Sequence, residues 1–437
     1  VNTLEELDRA HLWHPFTAHA DWEPLVIEQA EGNVLIDTAG KRYLDGISSL
    51  WTTVHGHRHP DLDRALVEQL GRVAHTTLLG LTHPPAIRLA AELLRVAPPG
   101  LTRVFYSDNG STAVEVALKI AFQAQRQRGH GRRTLFAGLA DAYHGDTLGA
   151  VSVGAIPAFH AIFRPLLFDA VALPAPTTPG GDEERSCLEA ALARLDRHGD
   201  ELAAFVYEPL VQGAAGMKMH SPHFVATLAE AARARGALLV ADEVAVGFGR
   251  TGTLFASEQV GVAPDLLCVA KGLGGGYLPI AATLATERLF DGFVAEPHAG
   301  RHLFHGHTFT GNPLACAVAL ESLALFERND VLAHVAELGR VFDTALAELR
   351  TVPEVHAVRR KGVMVGIDLR RPDGTRFDPA VRRGNQVALA CRHHGAIVRP
   401  LGDTIVLNPP LSFTVEDVST LVNALSRAIS DYQSSSG

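Results

Sequence analysis

The sequence predicts an α/β fold, a large sheet-based domain with a smaller α+β domain packed on it, and three observations carry that prediction. The chain has 437 residues, more than one ordinary domain holds. Its composition, 47% hydrophobic but only 6% aromatic with 40 Gly and 24 Pro, suits a helix- and loop-rich α/β protein rather than a coiled coil or a disordered chain. The third is an apolar stretch, Leu238-Leu-Val-Ala-Asp242, that ends on an acid, followed 29 residues after Asp242 by Lys271 in Ala270-Lys-Gly-Leu-Gly-Gly-Gly276. Two buried strands ending on charged groups bring those groups to one rim of a sheet, where chemistry sits in α/β folds.

Composition also excludes several functions. A net charge of -9 with both signs dispersed and no basic cluster argues against nucleic acid. The four cysteines, Cys187, Cys268, Cys316 and Cys391, are scattered without metal spacing and fit reduced core thiols of a cytoplasmic protein. The first residues are acidic and lack an apolar h-region, and no run approaches the ~20 apolar residues of a membrane span, so neither secretion nor membrane insertion is expected. The final Ser434-Ser-Ser-Gly437 is expected to be a disordered end.

Taken in order, residues 1 to about 50 contain short extended pieces, Leu25–Glu28 and Asn33–Asp37, with a turn at Ala39-Gly-Lys41. His55, His57 and His59 alternate like metal ligands, but no Cys or carboxylate of suitable spacing supports them, and a packed loop beside a pocket is the expectation. The pattern then turns helical, with Leu62, Ala65, Leu66 and Leu70 on one face and Ala86, Leu89, Ala90, Leu93 and Leu94 on another. Arg103–Ser107 is a strand that runs through Asp-Asn-Gly-Ser-Thr112 into a helix striped with Ala113, Val114, Ala117, Leu118 and Ala121. A strand, a Gly-Ser turn and a helix N-terminus make a phosphate cradle, although Ser and Thr are also ordinary caps.

Thr134–Gly138 is a further strand, with Tyr143 placed two residues beyond its edge to lie on a planar ring. Ala203–Glu208 finishes on a carboxylate, and Tyr277–Ala285 continues the sheet. Beyond about residue 330 come a helix, a strand pair around Val355–Leu369, a helix near Gln386–His393, and strands at Ala396–Arg399 and Thr404–Leu407. That is the α+β unit. Arg399, at a strand end there, is a planar fork suited to a carboxylate, with a structural ion pair as the alternative.

Five strands thus end on Gly110/Ser111, Tyr143, Glu208, Asp242 and Lys271. Asp242 alone could be a helix cap and Lys271 a solvated charge. Together with the cradle they supply what pyridoxal phosphate (PLP) asks of a protein: an amine for its aldehyde, an acid that keeps its ring nitrogen protonated, an aromatic and an anion site.

On these residues the chain resembles a class III PLP-dependent aminotransferase of fold type I over essentially its whole length, with Asp242-Glu-Val-Ala-Val-Gly-Phe-Gly-Arg250 and Lys271 as the most specific motif. The resemblance implies a mainly parallel seven-stranded large domain, residues 56–325. It also implies a small domain made from residues 1–55 and 326–437, and a homodimer with shared active sites. It implies that Lys271, Asp242 and Tyr143 are catalytic and that Gly110, Ser111, Tyr143, His144, Glu208, Asp242, Val244 and Lys271 bind the cofactor. Thr308 would reach the cofactor phosphate of the other subunit.

Within the class, His11-Leu-Trp-His-Pro15, Ser48–His57, Tyr143–Thr147 and Arg399-Pro400 are similar to the members that aminate 8-amino-7-oxononanoate in biotin biosynthesis. This implies substrate contacts from Phe16, Leu50, Trp51, Tyr143, Gly306, His307 and Arg399. The departures concern the amino donor. Members that use adenosylmethionine carry Tyr, Trp and Tyr where this chain has Phe16, Leu50 and Val406, and Pro where it has His307. Losing two aromatic or hydroxylated surfaces removes stacking and hydrogen-bond partners for a large adenosyl donor and leans towards the lysine-using subgroup, leaving the donor open. Another ω-aminotransferase, acting on a diamine or β-amino acid, and an aminomutase of the same fold remain alternatives.

Overall fold

A computed structural model describes residues 3–154 and 156–431, so the C-terminal Ser434–Gly437 lies outside the described residues. The centre is a seven-stranded sheet built from β4 (Leu101–Ser107), β5 (Leu135–Leu139), β6 (Ala170–Leu173), β7 (Leu202–Tyr207), β10 (Leu238–Asp242), β11 (Leu266–Val269) and β12 (Ala281–Thr286). Their spatial order is β4-β12-β11-β10-β7-β5-β6, and β12 alone runs antiparallel to both neighbours. All five residues of β10 are buried, as a strand covered on both faces requires.

One face of the sheet is covered by the helix Gly110–Gln127, whose Ala113, Val114, Ala117, Leu118 and Ala121 pack with Phe136, Val206, Val240 and Leu266. The other face carries the larger core, with the helices Pro84–Val96 and Pro222–Ala234 lying on it through Leu89, Leu93, Phe224 and Leu228. The helical stripes therefore turn inward where the 3.6-residue period puts them, except that Leu70, at the end of the helix Pro60–Leu70, stays exposed.

The chain ends meet in a second sheet, β1 (Ile27–Glu31), β2 (Val34–Asp37), β3 (Arg42–Asp45) and β15 (Ala396–Ile397), in which Ala396 pairs with Leu44. A third sheet orders β13 (Val355–Lys361), β14 (Met364–Leu369), β17 (Thr404–Leu407) and β16 (Arg399–Leu401), and β8 (Val211–Gln212) pairs with β9 (Lys218–Met219). Among the described residues no helix is long and apolar enough to cross a membrane, and the four cysteines are free thiols.

Several local expectations need correcting. Tyr277–Ile280 does not continue the sheet, because the turn after Lys271 runs on through left-handed Gly275 and Gly276 and β12 begins only at Ala281. The strand expected over Ala396–Arg399 splits between two sheets, and Tyr143 lies four residues beyond β5 rather than two. The capped helix Leu4–His11 precedes the first strand and carries no buried residue, so its apolar pattern gave no core signal.

Candidate active site

The C-terminal ends of β4, β5, β7, β10 and β11 share one rim, and a cavity of about 780 Å³ opens there. Its lining includes Gly110, Ser111, Tyr143, His144, Glu208, Asp242, Val244 and Lys271 from the sheet side, and Phe16, Leu50, Trp51 and Arg399 from the two smaller sheets' side.

Each group is fixed by its local chain. Asn109 caps the helix Gly110–Gln127, its side chain accepting from Thr112 N at 3.0 Å, and among the described residues the N–H groups of Gly110 and Ser111 have no hydrogen-bond partner. Ser111 Oγ meets Thr147 Oγ1 at 2.7 Å, which ties the cradle to the loop after β5. A Cβ on Gly110 would stand 2.4 Å from Val244 Cγ1, so only glycine lets the two loops close.

Asp242 is buried at the end of β10. Its Oδ1 accepts from Val244 N at 3.0 Å, and its Oδ2 accepts from His144 Nδ1 at 2.7 Å. Burial alone would lower the His144 imidazole, but the hydrogen bond to Asp242 and its charge outweigh that and hold the ring above its ordinary value. Glu208 accepts from Gly213 N and Tyr143 N; burial, reinforced by the Asp242 charge, pushes its carboxyl up to about 7. Tyr143 donates to Asp146 Oδ2 at 2.6 Å.

Lys271, at φ 40, points its Nζ over the Trp51 ring at 4.7 Å from the centroid. Burial holds its ammonium below the ordinary lysine value, against the opposing pull of Asp242 and Glu208. Arg399 also lines the cavity, without a carboxylate partner among the described residues, and burial lowers it as well.

These residues fit PLP: a cradle of free N–H groups for a phosphate, a buried carboxylate oriented by an imidazole for a ring nitrogen, and a desolvated amine for an aldehyde. Val244 lines the same space.

Phe16 and Leu50 enter the cavity from backbones at φ 53 and φ 72. Ser48, Ser49, Leu50 and Trp51 form one left-handed turn, a conformation that costs an L-residue roughly 1–2 kcal/mol each. Val406 is fully buried opposite Arg399 on β17 and does not line the cavity, so its identity cannot act there by contact. Gly306, His307 and Thr308 lie on a loop outside the lining, with His307 Nδ1 3.3 Å from Asp108 Oδ2. The alternating histidines take separate partners: His55 meets Ser322, His57 meets Asp45, and His59 caps the helix Pro60–Leu70.

Asp146, Thr147, Asn109 and Phe159 also belong to the cavity or its supports and were not singled out in the sequence. The block Tyr143-His-Gly-Asp-Thr147 held the first two, and its Gly145 was the available signal: a Cβ there would stand 2.4 Å from Ser111.

Residues 16–429 match the family model described as aminotransferase class-III. The adenosylmethionine-8-amino-7-oxononanoate aminotransferase of Nitratidesulfovibrio vulgaris is 54% identical, covering 98% of this chain and 81% of its own length. The protein of that name from Geobacter sulfurreducens is 47% identical, with 98% of each chain covered. Among solved structures, the enzyme of that name from Methanocaldococcus jannaschii superimposes with a TM-score of 0.94 at 37% identity, covering 98% of both chains. An amine transaminase from an uncultivated Pseudomonas species, solved in its PLP-bound form, gives 0.90 at 34% identity, covering 96% of this chain and 98% of its own.

Proposed function

The chain belongs to the class-III aminotransferase family, and from that premise we propose that it aminates the ketone of 8-amino-7-oxononanoate to give 7,8-diaminononanoate. It is a PLP-dependent transaminase. The observation that carries the choice of acceptor is Arg399, a desolvated guanidinium without a carboxylate partner among the described residues, in a largely apolar cavity that also holds Lys271. A long apolar keto acid meets both needs, its carboxylate on the arginine and its ketone at the amine.

PLP, when bound, supplies an aldehyde that exchanges amino groups and a ring that draws electrons from the neighbouring carbon. Gly110 and Ser111 N–H groups would hold its phosphate, Tyr143 and Val244 would bound the space for its ring, and Asp242, oriented by His144, would keep the ring nitrogen protonated. Lys271 Nζ would tether the aldehyde and, as the base at the reacting carbon, would take a proton from the donor Cα and return one to the acceptor carbon. Burial lowers its ammonium, which favours the neutral amine that proton transfer needs. Arg399 fixes the acceptor so that its ketone faces Lys271.

The donor is adenosylmethionine or lysine. Phe16 and Leu50 offer neither hydroxyl nor indole, which suits the smaller donor. The same reading includes a homodimer. Leu79, Leu81, Phe304 and Phe309 are exposed on two loops that touch at His75–Phe309, beside the Gly306–Thr308 segment through which each chain would complete the other's site. It further includes a cytoplasmic location, and a small unit formed by residues 1–55 and 326–437 around a large unit of residues 56–325. The deciding experiment is an assay of 8-amino-7-oxononanoate with adenosylmethionine, lysine and alanine. Diaminononanoate from lysine but not adenosylmethionine selects the lysine subgroup, and no product from any donor, with turnover of a diamine instead, sinks the acceptor assignment.

A further inference from the structure

The left-handed turn is the least expected backbone in the molecule. Four consecutive residues, Ser48 (φ 44), Ser49 (φ 46), Leu50 (φ 72) and Trp51 (φ 68), occupy a region that L-residues visit singly, and none is Gly or Asn. Its own backbone bonds are three: Trp51 N donates to Ile47 O at 2.7 Å, and Thr52 N and Thr53 N both donate to Ser48 O, at 2.9 and 3.1 Å. Something outside the turn must hold it.

That something is a carboxylate. Asp45, the last residue of β3, is fully buried, and both its oxygens are spent on the turn and its support. Its Oδ1 accepts from Ser49 N at 3.0 Å and Ile47 N at 3.3 Å, and its Oδ2 accepts from Ser49 Oγ at 2.8 Å and His57 Nε2 at 2.9 Å. On the other side Ser48 Oγ donates to Asn408 O, and the buried Arg250 reaches Asn408 Oδ1 and Thr53 O. The product of this anchoring is side-chain placement. Leu50, Trp51 and Thr52 project into the cavity, and the Trp51 ring fits where a Cβ on Gly213 would stand 2.9 Å from it, beneath Lys271 Nζ.

We propose that Asp45 is a positioning residue for substrate binding, its carboxylate holding Ser48–Trp51 left-handed so that Leu50 and Trp51 form one wall of the substrate cavity. Asp45 touches neither substrate nor cofactor and does not line the cavity. The groups assigned to PLP sit on other elements; Lys271 meets the turn through the Trp51 ring, but its bond to the cofactor does not need that contact, so loosening the turn is expected to leave cofactor attachment intact. The inference rests on the proposed reaction only for its kinetic readout.

The test uses the PLP-loaded full chain. Asp45→Ala is expected to raise KM for the keto acid tenfold or more with kcat within about threefold, and to leave the absorbance of the lysine-bound cofactor unchanged. It also raises hydrogen exchange at the Trp51 and Thr52 N–H groups tenfold or more. Adding Ser49→Gly, which removes the steric objection to φ 46 at an exposed position outside the cavity, restores both KM and exchange towards wild type. A merely structural aspartate would lower stability without this rescue. Should Asp45→Ala yield no soluble protein, Ser49→Val carries the test, because a β-branched side chain resists the same φ while Asp45 stays. Wild-type exchange in a folded Asp45→Ala or Ser49→Val protein, or a raised KM that Ser49→Gly fails to relieve, overturns the proposal. Exchange does not depend on the acceptor, so a wrong acceptor shows instead as absent turnover in the unmodified enzyme.

Discussion

Lys271 is an ammonium held where its charge is costly, and Glu208 a carboxyl held where its proton is retained; both effects come from burial, with neighbouring charges modifying them. Among the described residues Lys271 is the only lysine lining the cavity, so in Lys271→Ala turnover and the visible absorbance of the bound cofactor are expected to vanish together. A variant active at even a hundredth of the wild-type rate would contradict the assignment. For Glu208 the sign follows from linkage. Its folded pKa of about 7 lies above the usual carboxylate value, so the stability it contributes is complete below about pH 4 and is lost as pH rises through 7. In cofactor-free protein, wild type should therefore lose up to about 3 kcal/mol relative to Glu208→Gln between pH 4.5 and 7.5, read by denaturant titration at several pH values. Equal slopes for the two proteins would show that Glu208 is ionised throughout. Lys271, Asp242 and Glu208 stood out in the sequence because each follows or ends an apolar strand, whereas Arg399 drew notice at the end of an expected strand and in fact begins β16. Asp45 also ends a strand, but its partners are the N–H groups of Ile47 and Ser49, the Ser49 hydroxyl and the His57 imidazole, a local set that no residue pattern encodes.

Among the elements, the helix Gly110–Gln127 does two jobs: its apolar stripe covers the sheet and its first turn offers free N–H groups to the cavity. Gly110 is where the two jobs meet. Gly110→Ala drives a methyl into Val244 and is expected to cost about 1–3 kcal/mol of stability in the cofactor-free protein, together with a loss of PLP affinity of tenfold or more. Val244→Ala in that background should recover the stability by making room, but not the affinity, since the added methyl still crowds the phosphate site. Denaturation and cofactor titration separate the two effects, and recovery of neither would mean that the Gly110–Val244 contact is not the cause. The striped helices and buried strands were readable because periodicity survives in the sequence. The left-handed turn at Ser48–Trp51 was not. Ser-Ser-Leu-Trp carries none of the Gly or Asn signals of positive φ, and its conformation is imposed from β3 and Asn408. The division of Ala396–Arg399 between two sheets was hidden for a related reason, since pairing partners in distant segments decide it.

For the molecule as a whole, the proposed dimer makes a mixing prediction. Full-length subunits carrying Lys271→Ala are inactive, and subunits carrying Thr308→Asp are expected to be inactive because the new charge would oppose the phosphate across the interface. Unfolded and reassembled together in equal amounts, they should regain roughly a quarter of wild-type activity, because half the dimers are hybrids with one intact site of two. No recovery, from a mixture shown by sedimentation to contain hybrids, would place Thr308 outside the partner's site.

The pairing of β3 with β15 joins Leu44 to Ala396, and the wall that Leu50 and Trp51 build hangs from the end of β3. A ribosome making about 5–20 residues per second needs roughly 20–70 seconds to travel between those two positions. During that interval the sheet, the cradle and the lysine can already stand assembled, while the strand that will close the opposite side has emerged first and waits for its last neighbour. The residues that would hold the vitamin in this chain therefore all leave the ribosome before the strand that completes the support of the substrate wall.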